Sequence, residues 1–468
     1  MKHLNMNNKI ILNLVKDFLV NQTSLDKNLN ITNIESNLQN AKKNDLVFYN
    51  VRSDERARDT LSKRLSESSY GVLIVNELSD NLKNFKNVMV VNENNFLPLQ
   101  KILLDQLYPN KNTLKLAGVT GTNGKTSIVN LCCQIAQLNS IRAASLGTLG
   151  LNDARGSLKD LGGITTPSYI DLRKIIHWLQ DDYKFLFLEV SSHALKQDRL
   201  YDIRLDVAAW TNFTQDHLDY HKSMDDYFDS KCLIFKKYLK EINNCYFISS
   251  EKELHKRAGH GIVAEETSAL IKIDIPDCFK FSFNKKNLEL ALNLCKYFGI
   301  DIQKTDLSKL ELPKGRFSQI KHKDNLIIID YAHTPDALIN ICKAVRDEIK
   351  DRKLVVLFGC GGDRDRTKRP LMAKVAYQYA DRLILTNDNP RYEDEKIIME
   401  DMLQGLVGFD LKKVEVLHDR KLAIKKGIES LTSQSVLIIA GKGHEDYQDI
   451  KGVKYPFSDF LVVNEIIG

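Results

Sequence analysis

"LAGVTGTNGKTS", residues 116–127, carries a short apolar run into a glycine-rich loop that ends in Gly124-Lys125-Thr126. The usual spelling of a phosphate loop, G-x-x-x-x-G-K-[ST], would place a glycine where this chain has Val119; the nearest glycines are Gly118 and Gly121. The frame around the loop matters more than that count. "LKLAGV" (114–119) reads as a buried strand, and "SIVNLCCQIAQL" (127–138) repeats its apolar residues at helical spacing. A loop between them aims the N–H groups of Gly121, Thr122, Asn123 and Gly124 at an anion, with Lys125 as point charge and Thr126 or Ser127 as a hydroxyl for magnesium. A bound nucleotide is the expectation. A switch-type GTPase would also need an N-K-x-D guanine reader, and the nearest match, "NKKN" (284–287), has Asn287 in place of the aspartate.

Outward from the loop, the pattern predicts an α/β protein of three domains. "FLFLEV" (185–190) and "DVAAWTNF" (206–213) are apolar enough to be interior strands of a mostly parallel sheet. Upstream, residues 1–108 mix runs such as "DLVFYNV" and "YGVLIVN" with Asn- and Lys-rich connectors, which suggests a small α/β domain ending at the linker "LYPNKNT" (107–113). The central P-loop domain is expected over 109–312. Beyond "ELPKGRF" (311–317) the strands "NLIIID", "KLVVLFG", "RLILTN", "KVEVL" and "SVLIIAG" alternate with amphipathic helices, so 313–468 reads as a Rossmann-like doubly wound sheet. Each of those strands runs into a polar cluster: "DYAHTPD", "GCGGDRDRTKR", "NDNPRYED", "HDR" and "GKGHED". Open α/β sheets bind ligands outside the carboxyl ends of their strands, so the five clusters are expected to converge on one site.

Bulk composition narrows the classes. Across 468 residues Lys and Arg exceed Asp and Glu by only six, with no polybasic run, which argues against nucleic acid or an anionic membrane as partner. The eight cysteines are scattered, without a C-x-x-C pair, as in a reduced cytoplasmic protein. The apolar stripe in "MKHLNMNNKIILNLVKDFLVNQ" is broken by Asn, Lys and Asp, so neither a signal peptide nor membrane insertion is expected, and the protein should stay in the cytoplasm.

Further motifs supply the chemistry. Glu189 ends the strand "FLFLEV", a position from which a carboxylate can join a magnesium shell. "TNFTQDHLDYH" (211–221) brings His217, and "YFDSK" (227–231) ends in Lys231. Taken in order with "TTPS", "EVSSHAL", "KGRF", "DYAHTPDAL", "GCGGDRDRTKRP", "DNPR" and "GKGHEDYQ", these motifs make the chain resemble the ATP-dependent Mur ligases from about residue 114 to 450. Within that family it is most similar to the branch that adds a diamino acid as third residue of the peptidoglycan precursor peptide.

The resemblance implies a ligase that joins UDP-N-acetylmuramoyl-L-alanyl-D-glutamate to a diamino acid while ATP goes to ADP and phosphate, acting as a monomer. It implies catalytic roles for Lys125, Glu189, His217 and Lys231. Thr126, Glu189, His217 and Lys231 would hold two magnesium ions, Lys231 as the carbamate formed with CO2 (N6-carboxylysine). Asn287, Arg316 and Asp330 match nucleotide contacts, and Thr165, Thr166, Ser191, Gln197 and Arg199 match contacts to the muramoyl dipeptide. For the amino acid it implies Arg364, Asp388, Asn389, Pro390, Arg391, Gly441 and Glu445. Arg391 makes meso-diaminopimelate the expected substrate, because its planar guanidinium suits the distal carboxylate that lysine lacks. The alternatives are a lysine-adding form, a folylpolyglutamate-synthase-like ligase, which should lack "DNPR", and a catalytically dead scaffold, which should have lost one of the four catalytic positions. The N-terminal domain departs from the family pattern: "NIESNLQNAKKNDLVFYNV" keeps "DLVF" without the preceding proline and glycine, and leaves Ser36 as the one candidate contact to the uridine diphosphate.

Overall fold

The computed structural model describes residues 5–51, 61, 63–153, 155–248, 250–266, 275–349 and 352–468. Three α/β layers follow one another along the chain, each built on its own sheet. The first is five-stranded, in the order Leu19–Gln22, Val88–Val91, Val72–Val75, Asp45–Tyr49, Asn33–Glu35, and is parallel except at its first pair. Val72–Val75 and Val88–Val91 are buried on both faces, which is why they read as unbroken apolar runs rather than as alternations.

The second sheet has eight strands, in the order Gly156–Lys159, Gly150–Asp153, Ala143–Gly147, Phe185–Glu189, Lys115–Thr120, Val207–Trp210, Cys245–Phe247, Ile262–Val263. The first two pairings are antiparallel and the rest parallel. Lys115–Thr120 lies at its centre and delivers the glycine loop into the helix Lys125–Leu138. That helix and Ser282–Tyr297 share the apolar core on one face, through Leu131, Ile135, Leu288 and Leu292. The opposite face continues into the first layer: one apolar cluster runs from Ile11, Val72 and Leu103 to Leu186, Leu205 and Trp210. Polar contacts finish that seam. Arg173, with its side chain 1% exposed, is paired with Asp105 and Asp202, and Ser36 donates its hydroxyl to Asp171 at 2.7 Å.

The third sheet has six strands, in the order Ser318–His322, Asn325–Asp330, Val436–Ala440, Leu354–Phe358, Arg382–Thr386, Val414–Leu417. Its parallel strands are covered on one face by Pro335–Ile349, Lys368–Tyr379 and Glu395–Gln404, and on the other by Arg420–Glu429 and Asp459–Ile467. Five strands were expected here; the sixth, Ser318–His322, is an antiparallel edge strand whose half-exposed "SQIKH" carries no apolar run. A separate hairpin, Tyr447–Ile450 with Val453–Pro456, also escapes the sequence pattern.

Candidate active site

The strand Lys115–Thr120 ends in a loop that only glycine can form. Gly121 (φ +138°) and Gly124 (φ +87°) sit in conformations that side-chain-bearing residues rarely adopt, and a Cβ would strike the Thr211 side chain in one case and the Asn287 amide in the other. The bare backbone heads a helix whose N-terminus is unblocked by any acidic residue in its first turn. Lys125 folds back over the loop, donating to the carbonyls of Gly121 and Thr122 at 2.9 and 2.8 Å. Burial lowers its pKa, opposed by Glu189 and Asp216. Two of the amides expected to face an anion are taken up within the protein, Thr122 N–H by the Asn212 carbonyl at 3.1 Å and Asn123 N–H by Asn212 Oδ1 at 2.9 Å, so what fits a polyphosphate chain here is the helix N-terminus with its buried lysine.

Around this loop the second and third layers enclose a cavity of about 390 Å³. The second layer contributes Thr122, Asn123, Gly124, Lys125, Thr126, Thr165, Glu189 and His217 to its wall; the third contributes Arg316, Arg364, Asp388, Asn389, Arg391, Gly441 and Glu445. An adjoining cavity of about 200 Å³ is lined by Ser127, Asn287 and Asp330 together with Asn123, Gly124 and Arg316. Arg316 stands between the two, donating to the Thr126 hydroxyl at 3.1 Å and lying 4.5 Å over the Tyr331 ring.

Glu189 is 1% exposed, and its carboxylate accepts from the N–H and hydroxyl of Thr148 at 2.9 and 3.3 Å. His217 opens one ring edge to the cavity, its side chain 38% exposed, while dense protein surrounds the rest; burial lowers its pKa to about 3 and keeps the imidazole neutral. Glu189, His217 and the Thr126 hydroxyl line one wall; the carboxylate and hydroxyl oxygens are donors of the kind magnesium takes, the imidazole is not, and among the described residues no three His, Cys, Asp or Glu side chains gather as a metal cluster. Lys231 does not line the cavity. It is buried beneath the loop, where Nζ donates to the Gly121 carbonyl at 2.9 Å and lies 4.5 Å from the Tyr227 ring centre. Burial and the nearby Lys125 push its pKa well below the lysine range.

Thr166, Ser191, Gln197 and Arg199 lie outside the cavity wall and bond mainly to one another. Ser191 N–H donates to the Thr166 hydroxyl at 3.0 Å, and Arg199 reaches the Thr166 carbonyl at 2.5 Å and the Gln197 side chain at 2.8 Å. Pro390 also lies off the wall, its carbonyl accepting from Glu393 N–H. Of the five polar clusters at strand ends, four reach the cavity. The "HDR" cluster does not: Arg420 turns inward to a fully buried pair with Asp459, because its strand, Val414–Leu417, is the edge of the sheet.

The wall also holds residues to which no role was attached from sequence: Thr148, His193, Asp216, Tyr331, His333 and Lys368. Tyr331, His333 and Lys368 stand inside motifs already quoted, so their signal was position within a motif; Thr148 carried none. Lys442, fully buried in "GKGHE", donates to Asn389 Oδ1 and Glu445 Oε2, both at 3.1 Å. Burial raises the Asp388 carboxyl nearby, opposed by Lys442 and Arg420.

Two family models match in sequence order: the Mur ligase middle domain over residues 119–294 and the Mur ligase glutamate ligase domain over 315–443. The chain is similar to the UDP-N-acetylmuramoyl-L-alanyl-D-glutamate–2,6-diaminopimelate ligase of Rickettsia bellii, at 35% identity over 93% of this chain and 95% of that one. It is 40% identical to the ligase of the same name from Aquifex aeolicus over 76% and 78% of the two chains. A solved structure titled as a ligase of this name matches with a TM-score of 0.57 at 29% identity, covering 93% of this chain and 94% of that chain. With this likeness running through nearly its whole length, the chain belongs to the Mur ligase family of ATP-dependent, amide-bond-forming enzymes.

Proposed function

We propose that the protein joins meso-diaminopimelate to the D-glutamate side-chain carboxylate of UDP-N-acetylmuramoyl-L-alanyl-D-glutamate, with ATP cleaved to ADP and phosphate. The observation that carries this reading is Arg391. Its guanidinium stands in the wall of the cavity that holds the phosphate loop, bonded only to the Gly362 carbonyl among the described residues, at 2.7 Å. An arginine with no carboxylate partner beside Asn389 and Glu445 suits a substrate that brings both a carboxylate and an ammonium at its far end. Lysine would leave the guanidinium unpaired.

The chemistry follows from the poor leaving ability of oxide from a carboxylate. The substrate carboxylate attacks the γ-phosphorus of ATP, ADP leaves, and the resulting acyl phosphate is attacked by the amine of diaminopimelate, releasing phosphate. Lys125 and the N-terminus of the helix it opens, fixed before the reaction, would neutralise charge on the transferring phosphoryl group. Arg316, Asn287 and Asp330 would border the nucleoside, and Thr165, Thr166, Ser191, Gln197 and Arg199 would carry the dipeptide. Thr126, Glu189 and His217 would hold magnesium, which screens the phosphate charge when bound. Lys231 would act as its carbamate, the neutral amine adding to CO2 with loss of a proton; a buried amine facing a second lysine supports this, because an anion there replaces a repulsion with an attraction. Residues 1–108 would take the UDP end, 109–312 the ATP and 313–468 the amino acid.

The reading places the enzyme in the cytoplasm with its ATP and sugar-nucleotide substrates, and as a monomer. No helix among the described residues is long and apolar enough to cross a membrane. Phosphate release measured with the UDP-muramoyl dipeptide, ATP and magnesium, comparing meso-diaminopimelate with lysine, tests it. Turnover is expected with diaminopimelate; equal or better turnover with lysine refutes the assignment.

A further inference from the structure

The hairpin Tyr447–Ile450 and Val453–Pro456 belongs to none of the three sheets, and its second strand is exposed along its whole length. A lone two-stranded hairpin is marginal in water, so its order has to come from what it touches. It touches the segment 388–391. Gln448 Nε2 donates to the Asp388 carbonyl at 3.0 Å, and the Asp449 N–H donates to Asn389 Oδ1 at 3.0 Å. The Arg391 N–H donates to the Asp449 carbonyl at 2.9 Å, and the Lys451 N–H donates to the Arg391 carbonyl at 2.7 Å. Pro390, which has no N–H, is the one residue of the four that takes no bond from the hairpin.

Arg391 has φ +53°, in the left-handed region that non-glycine residues rarely occupy. Both of its main-chain polar groups are tied to the hairpin, so the hairpin fixes the direction in which the side chain leaves the loop. The guanidinium then has one narrow seat: it meets the Gly362 carbonyl, and a Cβ at Gly361 would come within 2.8 Å of Nη1. The hairpin's turn is itself closed by the Gly452 N–H donating to Asp449 Oδ1 at 3.1 Å, with Gly452 at φ +80°.

We propose that this hairpin is a specificity element, which positions Arg391 and Asn389 and so sets the preference for an amino acid with a distal carboxylate over one without it. The inference rests on the reading of Arg391 given above and extends it to residues that touch no substrate. Gln448, Asp449 and Gly452 are positioning residues here: they act through the loop they hold.

The test uses the full chain and three variants. Gly452→Val strains the turn at positive φ, Gln448→Ala removes one side-chain bond without touching the turn, and Arg391→Ala serves as reference. For each, kcat/KM is measured with diaminopimelate and with lysine, alongside KM for ATP and the melting temperature. The diaminopimelate-to-lysine ratio is expected to fall about tenfold in Gly452→Val and less in Gln448→Ala, with KM for ATP unchanged. Where Gly452→Val does not fold, Gln448→Ala decides. If Arg391→Ala lowers the ratio and the folded hairpin variants leave it unchanged, or lose both amino acids and ATP alike, the hairpin proposal is overturned while the role of Arg391 stands. If Arg391→Ala leaves the ratio unchanged, the role of Arg391 itself is overturned.

Discussion

Lys125 and Lys231 donate to one and the same acceptor: each Nζ lies 2.9 Å from the carbonyl oxygen of Gly121. Two ammonium groups on one carbonyl repel each other inside the protein, and the more deeply set of the pair, Lys231, is the one whose proton is easily lost. The carbamate proposed for Lys231 would replace that repulsion with an attraction. Lys231→Ala is expected to abolish ligation, and added short-chain carboxylic acid to restore part of it by supplying the missing anion. Undiminished phosphate release by the unrescued variant would rule the carbamate out.

Arg391→Ala should raise KM for diaminopimelate and leave KM for ATP near its original value. A charge-assisted hydrogen bond contributes about 1.5–3 kcal/mol, so the rise is roughly tenfold to a hundredfold. Steady-state titration of each substrate separates the two outcomes, and a defect confined to ATP would contradict the assignment.

Gly124→Ala tests the phosphate cradle. Its φ of +87° costs a side-chain-bearing residue about 1–2 kcal/mol, and the new methyl group meets the Asn287 amide. ADP binding followed by calorimetry should weaken about tenfold or more while the circular dichroism spectrum is retained. Unchanged ADP affinity would show that the nucleotide does not use this loop.

Arg369 carries a pH prediction. Its fully buried guanidinium bonds both oxygens of Glu393, Asp401 at 2.7 Å and the Gly361 carbonyl beside Arg391. Arg369 beside Glu393, and Arg366 with Arg369 beside Asp401, hold these carboxyls below their usual values of 4.5 and 3.8. Folded-state values below the unfolded ones mean that the stabilisation is present above those usual values and is lost as the pH falls through the folded ones. The melting temperature of the native chain should therefore drop on acidification below about pH 4.5, the usual value of the glutamate. Arg369→Met should melt lower at neutral pH and show a shallower drop; identical pH profiles would refute the coupling.

The sequence disclosed what local pattern can carry. The frame of strand, loop and helix around Gly121–Thr126 and the four interior strands of the third sheet were legible because burial on both faces writes a nearly unbroken apolar run, while the edge strand Val414–Leu417 showed through its alternation alone. Ser318–His322 and the hairpin 447–456 were not, since exposed edges carry polar residues and are held by partners far along the chain. Arg420 was misplaced for the same reason: its partner Asp459 is 39 residues away, and nothing local marks an arginine as buried. Lys442, flanked by glycines, looks like a surface lysine until Asn389 and Glu445 are seen to enclose it.

The third layer also grips the phosphate loop directly. Asp336 accepts from the Asn123 side chain at 3.0 Å, Arg316 donates to Thr126, and Lys368 lies 3.8 Å from Asp216. Any opening of one layer against the other at this loop therefore exchanges these three bridges for contacts with water, which polar groups accept at little net cost.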